Sequence, residues 1–234
     1  MKQNSLISVI IPVYNGEHYL AEAIESALAQ TWEPIEIVIV DDGSTDGSAD
    51  VASRFASSVK YDLQPHAGPG AARNRGARLA RGDYLAFLDA DDLWLKEKLK
   101  LQMAAMQGSA PPDAVFGHVE QFVSPDLSPD QAAKMDWQPA PMPARLPGTM
   151  LVRREDFDKV GCFSTALRVG EFVEWYARAT ELAFQDIIVP EVILRRRIHA
   201  ANSGILHRDA RSDYVRVIKA AMDRRRQRPK EIAS

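Results

Sequence analysis

The chain has 234 residues, 46% hydrophobic and 26% charged, with a formal net charge of −3. That balance is globular and argues against disorder, and the length suits one α/β domain with at most a short extension. The longest apolar runs, residues 7–13 and 35–40, are too short to span a bilayer, and the single cysteine, Cys162, excludes an internal disulfide framework.

The first five residues lead directly into a strand-like run, without the apolar stretch and cleavage site of a signal peptide, so a cytoplasmic location is expected. Charge is unevenly spread. Residues 195–234 carry 12 Lys/Arg against 4 Asp/Glu. Such a basic tail suits an anionic partner, for instance the inner membrane surface or a second copy of the chain, and it equally suits a solvated arginine-rich helix. Nothing in the pattern calls for nucleic acid.

In chain order, residues 8–14 form a β-rich run that ends at the Asn15-Gly16 turn. Residues 17–29 then place Tyr19, Leu20, Ala23, Ile24, Ala27 and Leu28 on one helical face. Residues 35–40 are almost wholly apolar, as expected of a parallel strand covered on both faces. This strand stops at Asp41-Asp42-Gly43-Ser44, where Ser44 or Asp46 suits the cap of a helix running to Phe55. Residues 70–80 predict a third helix and 84–88 a buried strand, which ends in Asp89-Ala90-Asp91-Asp92. Alternating strands and helices imply a doubly wound, mostly parallel sheet flanked by helices.

The second half is less regular. Six prolines between Ser124 and Gly148 (125, 129, 139, 141, 143, 147) predict a long ordered loop with no element of its own. Residues 171–183 resume a helical pattern and 187–192 a short strand. Residues 208–226 read as an amphipathic terminal helix with Tyr214, Val217, Ile218 and Ala221 on its apolar side. The expected division is a domain over 1–205, with halves at 1–110 and 111–205, followed by a basic helical extension over 206–234.

In open α/β sheets, ligands bind beyond the carboxyl ends of the strands. Three polar clusters fall at such ends: Tyr14-Asn15, Asp41-Asp42 and Asp89-Ala90-Asp91. Two carboxylates as close as Asp89 and Asp91 repel unless something positive neutralises them. A divalent cation does so economically, and hard oxygen ligands suit Mg²⁺ or Mn²⁺ shared with substrate phosphates. The alternative is a helix cap, with Asp91 or Asp92 preceding residues 93–97. Asp41 and Asp42 offer acceptors for a base imide or a ribose hydroxyl, or else a capped turn. The glycines at 68 and 70 lack the third glycine and the place after the first strand that a dinucleotide fingerprint needs. They instead turn the chain into a helix from which Arg73 projects toward a phosphate or base.

Four segments, in order, carry a family resemblance: residues 8–16, 40–46, 72–76 and 82–92. Together they resemble glycosyltransferase family 2, whose fold is known as GT-A. The resemblance implies transfer of a sugar from a nucleoside diphosphate donor, a UDP-sugar by expectation, to an acceptor glycan, lipid-linked glycan or peptide. Pro12, Val13 and Tyr14 would bracket the nucleobase and Asp42 would read it. Asp89 and Ala90 would lie along the ribose and phosphates, and Asp91 would hold the metal. His199, after Arg195-Arg196-Arg197, takes a position where relatives carry a metal or phosphate ligand. The family's acidic pair, whose Asp is the general base, aligns with Glu171-Phe172. Phe172 stands at the Asp position, so Glu171 and Glu174 are both candidates for the base. Two rival readings remain: a catalytically inactive relative that only binds nucleotide sugars, and a nucleotidyltransferase. The latter lacks its glycine-rich basic signature after the first strand.

Overall fold

The computed structural model describes residues 5–135, 137–200 and 202, together with positions 213, 217 and 219. The helix expected over 208–226 and the division at 206 therefore lie, apart from those three positions, outside the described residues.

Strand β1 (Ile7–Val13) is followed by helix α1 (Leu20–Leu28), β2 (Ile35–Asp41), α2 (Ser48–Ser53), β3 (Lys60–Leu63), α3 (Pro69–Leu79) and β4 (Tyr84–Phe87). Next come β5 (Leu93–Trp94), α4 (Lys98–Met106), β6 (Ala114–Val123), α5 (Pro129–Ala132), β7 (Met142–Ala144) and a 3₁₀ turn at Pro147–Thr149. The described chain continues through β8 (Leu151–Arg153), α6 (Arg154–Val160), α7 (Glu171–Glu181) and β9 (Asp186–Ile198). One nine-stranded sheet runs β3-β2-β1-β4-β8-β6-β9-β5, with β7 added against β6. The neighbours in β3-β2-β1-β4 are parallel. Strand β8 then reverses direction against both β4 and β6. The doubly wound, mostly parallel sheet expected from the sequence is present.

Its parallel half explains the unbroken apolar runs. Val9, Ile11 and Val13 of β1 bury against α1 and α4 on one face, while Ile10 buries with Phe87, Phe163 and Trp175 on the other. With both faces covered, neither parity has a solvent side, so alternation disappears. The second face is aromatic: the Trp175 ring stacks on Phe157 with centroids 5.6 Å apart.

Several sequence expectations need correction. Leu93 opens a strand and α4 starts only at Lys98, so Asp91 and Asp92 cap no helix. The proline-rich stretch holds α5, β7 and the 3₁₀ turn. Among the described residues β7 pairs only with β6, and it tolerates Pro143 as an edge strand does. Strand β9 is thirteen residues long and carries Arg195, Arg196 and Arg197 in register with Glu120, Gln121 and Phe122. A basic run conceals a strand when its charges lie along aromatic and acidic neighbours: the Arg195 guanidinium sits 4.6 Å over the Phe122 ring. Asp46, through Oδ1, accepts from Ser48 N at the start of α2, whereas Ser44 Oγ accepts from Asn15 N. Among the described residues, no helix is long and apolar enough to cross a membrane.

Lys98 is wholly buried, with Nζ 4.2 Å above the Trp94 ring and donating to Gln102 Oε1 at 2.6 Å. Burial pushes its ammonium well below the usual lysine range. The unfolded chain takes up this proton below about pH 10.4, and the folded chain does so only below its depressed value. Between those two limits the unfolded state binds more protons, so stability rises with pH. Lys98→Met is expected to flatten that rise, measured as urea midpoints from neutral pH to about pH 10.4. An unchanged slope would show that Lys98 is not its source.

Candidate active site

The carboxyl ends of β1, β2 and β4 meet on one rim because their register aligns Val13 with Asp41 and Ile10 with Phe87. Asp42 N donates to Val13 O at 2.8 Å, and Leu88 N to Ile10 O at 3.0 Å, which carries the pairing just past the strands. The loops that follow bring the three polar clusters side by side.

On the β1 side, the Val13 side chain lies in the core and Pro12 is half-buried, while Tyr14 is half-exposed. The Tyr14 ring stacks on His66, with centroids 4.1 Å apart and planes at 28°. Asp42 is buried and fully engaged by the loop after β3. Its Oδ1 accepts from Gln64 Nε2 (2.6 Å) and Ala67 N (2.9 Å), and its Oδ2 from Gly68 N (2.8 Å). His66 Nδ1 lies 2.9 Å from the same Oδ2. Asp42 thus shapes the turn that presents His66, a residue sequence reasoning passed over because its neighbour in space is 52 positions away. Asp41 is likewise buried, accepting from Ser44 N and Tyr61 Oη.

Past β4, the aspartates separate in role. Asp89 Oδ1 accepts from Arg73 Nη2 at 2.6 Å. Ala90 is partly buried and packs on the core beneath. Asp91 Oδ2 lies 2.8 Å from His199 Nε2. Asp92 is buried and accepts from Arg197 N through Oδ1 at 2.9 Å. Burial, and then the Asp91 and Asp89 charges, push the Asp92 carboxyl well above the usual carboxylate range. It therefore serves as a backbone anchor.

His199 reaches Asp91 because it directly follows β9, whose Leu194 and Arg195 pair with β5 immediately after the aspartates. His199 N donates to Asn202 Oδ1 (2.7 Å), and the Tyr19 ring stands edge-on to the imidazole at 4.8 Å. Tyr19 Oη in turn donates to Asp126 Oδ2 at 2.9 Å, which ties the loop after β6 to the same place. Arg197 is buried beside it. Its Nε donates to Asp91 O (3.0 Å), its Nη2 to Glu22 Oε2 (2.8 Å), and its plane lies 4.7 Å from the Tyr19 ring. Of the arginine run, Arg197 thus braces the aspartate loop, and Arg195 pairs with Glu120.

The two glutamates part company. Glu171 opens α7 behind Gly170, whose φ of +83° suits glycine. Its carboxylate is buried and accepts from Arg73 Nη1 at 2.5 Å. Arg73 is therefore a bridge between Glu171 and Asp89. Burial opposes its charge, and the two carboxylates outweigh that opposition and raise its pKa. Glu174 pairs with Arg178, which donates to Cys162 O and Val160 O. Phe172 points into the aromatic core, with its ring centroid 6.1 Å from that of Trp175.

The sequence model described as Glycosyl transferase family 2 matches residues 8–161. The chain belongs to glycosyl transferase family 2. It is an enzyme of the glycosyltransferase type. This family 2 chain is 32% identical over 221 residues to an uncharacterized glycosyltransferase of Rickettsia typhi, covering 87% of the chain and 68% of the relative. A Nostoc relative, also an uncharacterized glycosyltransferase, is 44% identical over 131 residues, covering 54% of the chain and 40% of the relative. Among solved structures, S. aureus TarS 1-349 in complex with UDP superposes with a TM-score of 0.64 at 22% identity, covering 83% of this chain and 61% of that one. A mannosyltransferase from Pyrobaculum calidifontis in complex with GDP-Man and Mn²⁺ superposes with a TM-score of 0.61 at 19% identity, covering 86% and 59%. The fold is thus GT-A, and the chain spans about three-fifths of each of these solved neighbours.

The Asp42 geometry has a measurable consequence. Asp42→Ala removes an acceptor from three donors, two of them backbone amides, and leaves them in a buried turn. Each bond to a charged group is worth about 1.5–3 kcal/mol, and the losses overlap. A destabilisation of about 2–4 kcal/mol is expected in urea unfolding. A change within 0.5 kcal/mol, the size typical of surface substitutions, would refute the anchoring role.

Proposed function

We propose that this family 2 enzyme transfers a sugar from a nucleoside diphosphate donor, UDP by preference, to an acceptor hydroxyl with inversion at the anomeric carbon. Support comes first from one observation: donor-side Asp89 and acceptor-side Glu171 converge on Arg73 beside the Asp91–His199 pair. A glycan, a lipid-linked glycan or a peptide would each supply such a hydroxyl.

In this reading, Tyr14 and its stacked partner His66 form the flat wall against which the base lies. Pro12 and Val13 contribute the adjoining backbone, and Asp42 sets the base slot by fixing the loop that carries His66. Asp89 and Ala90 line the ribose and phosphate path.

The donor set also fits a divalent cation. Asp91 offers a carboxylate oxygen and His199 an imidazole nitrogen, 2.8 Å apart. Among the described residues no group of three or more His, Cys, Asp or Glu surrounds a metal position. Two protein ligands with the remaining positions left to phosphate and water is the arrangement Mg²⁺ and Mn²⁺ tolerate. A cation held there supplies Lewis-acid stabilisation of the departing diphosphate.

The chain's own groups do the rest. Glu171 takes the proton of the attacking hydroxyl as the acceptor oxygen bonds to the anomeric carbon and the bond to the diphosphate breaks. Arg73 grips Oε1 of Glu171, which orients the carboxylate and leaves its second oxygen for that proton. Glu174, turned to Arg178, has no part in the step.

Calorimetry with nucleotides and nucleotide sugars, with and without Mn²⁺, tests the donor half. UDP compounds are expected to bind best, and Asp91→Ala to abolish the metal dependence; equal affinity for ADP and UDP would count against the base slot. For the acceptor half, Glu171→Gln should lower kcat by about 10²–10⁴, and Glu174→Gln should leave it near wild type. The reverse pattern would transfer the role of base to Glu174. Tight donor binding without turnover of any donor would favour the inactive relative.

A further inference from the structure

Arg73 makes a contact pattern in which both terminal nitrogens donate to carboxylates of the protein itself. It is 5% exposed and lies in the middle of α3. Its two terminal nitrogens serve carboxylates from different parts of the chain: Nη1 reaches Glu171 on α7 at 2.5 Å, and Nη2 reaches Asp89 beyond β4 at 2.6 Å. Its Nε is buried without a hydrogen-bond partner among the described residues. A guanidinium that leaves a buried donor unmet has been oriented by its two stronger bonds.

The flanking residues keep α3 and the start of α7 in one place. Asn74 donates through Nδ2 to Phe163 O (2.8 Å) and accepts through Oδ1 from Phe163 N (2.9 Å), which clamps the segment leading to α7. Gly70, one turn earlier, has no room for a side chain: a Cβ there would fall 2.7 Å from Ser164 O and 3.4 Å from Glu171 Cγ. Three successive features of α3 thus set the distance to the first residue of α7.

Building on the function above, we propose that Arg73 is a positioning residue that couples the donor side to the acceptor side. Through one guanidinium it holds Glu171 at a fixed offset from Asp89, so that occupancy at Asp89 is felt at Glu171. Nothing requires Arg73 to touch the donor. Lysine retains the charge but presents a single nitrogen to two divergent carboxylates, so Arg73→Lys tests the geometry and not the charge.

Four measurements decide the matter. In Arg73→Lys, kcat at saturating donor is expected to fall about 100-fold, the effect of misplacing a reacting group by about 1 Å. The affinity for UDP with Mn²⁺ should change by less than the roughly tenfold that losing a direct charged contact brings. The double variant with Glu171→Gln should be no slower than Glu171→Gln alone, because both act through one carboxylate. A loss of UDP affinity of tenfold or more would overturn the proposal in favour of direct donor contact, and multiplicative effects on kcat would overturn it in favour of independent roles. Hydrogen exchange reads the coupling without turnover. UDP with Mn²⁺ should slow exchange of the amides at 171–175 in the wild type and fail to do so in Arg73→Lys. An equal response in both proteins, or none in the wild type, refutes it, even if no transfer is ever detected and the functional reading itself fails. Should Arg73→Lys not fold, Gly70→Ala displaces the start of α7 with every charge intact. It should show the same split between kcat and UDP affinity, and wild-type kcat in that variant would sink the proposal.

Discussion

The structure depends on a problem of charge. A parallel sheet delivers its strand ends to one rim, and this sequence places Asp41, Asp42, Asp89, Asp91 and Asp92 there, with Asp41, Asp42 and Asp92 buried and the other two partly so. Carboxylates so crowded are tolerated only where each is answered. Backbone amides of the loop after β3 answer Asp42, Arg73 answers Asp89, and His199 answers Asp91. Asp92 is met by Arg197 N and by a raised pKa. Those partners come from the loop after β3, from α3 and from the end of β9.

This arrangement explains why the second half is built as it is. α7 brings Glu171 to Arg73, and β9 brings Arg197 and His199 to the aspartate loop. Between them the aromatic face of the sheet, with Phe116, Phe157, Phe163, Phe172 and Trp175, fixes how α7 lies. Phe172 shows the division of labour within one helical turn: Glu171 faces the carboxylate and guanidinium group, and its neighbour fills the core.

Much of the strand-end rim was legible in the sequence, because parallel strands write themselves as apolar runs that stop at acidic clusters. Asp91 and His199 were singled out and do meet. What could not be read was partnership. Arg73 looks like a free cation in the sequence and is a buried bridge. Asp42 looks like a free acceptor and is already engaged by a turn. His66 has no local signal at all. The short strands β3, β5 and β8 and the full length of β9 also escaped notice. Strands of two to four residues show too little of a period-two pattern, and the arginines of β9 mask theirs with charges that stack on rings. Tertiary pairing decides such segments, and no local window contains it.

Strand β9 also acts as a ruler. At one end, Asp186 accepts from Tyr176 of α7; at the other, the chain passes from Ile198 straight into His199. The register with β6 shifts opposite residues 188–194 and is regular from Leu194 to Ile198; over that last stretch each residue advances the strand by roughly 3.3 Å and reverses the side it faces. Inserting one residue within Leu194–Ile198, where the register with β6 is regular, would therefore send His199 to the opposite face from the one it now occupies, while inserting two would restore the face but overshoot Asp91 by more than a bond can span. The spacing between the β5 pairing and the imidazole is in this sense counted out in peptide units, and length changes among related chains should spare Leu194–Ile198.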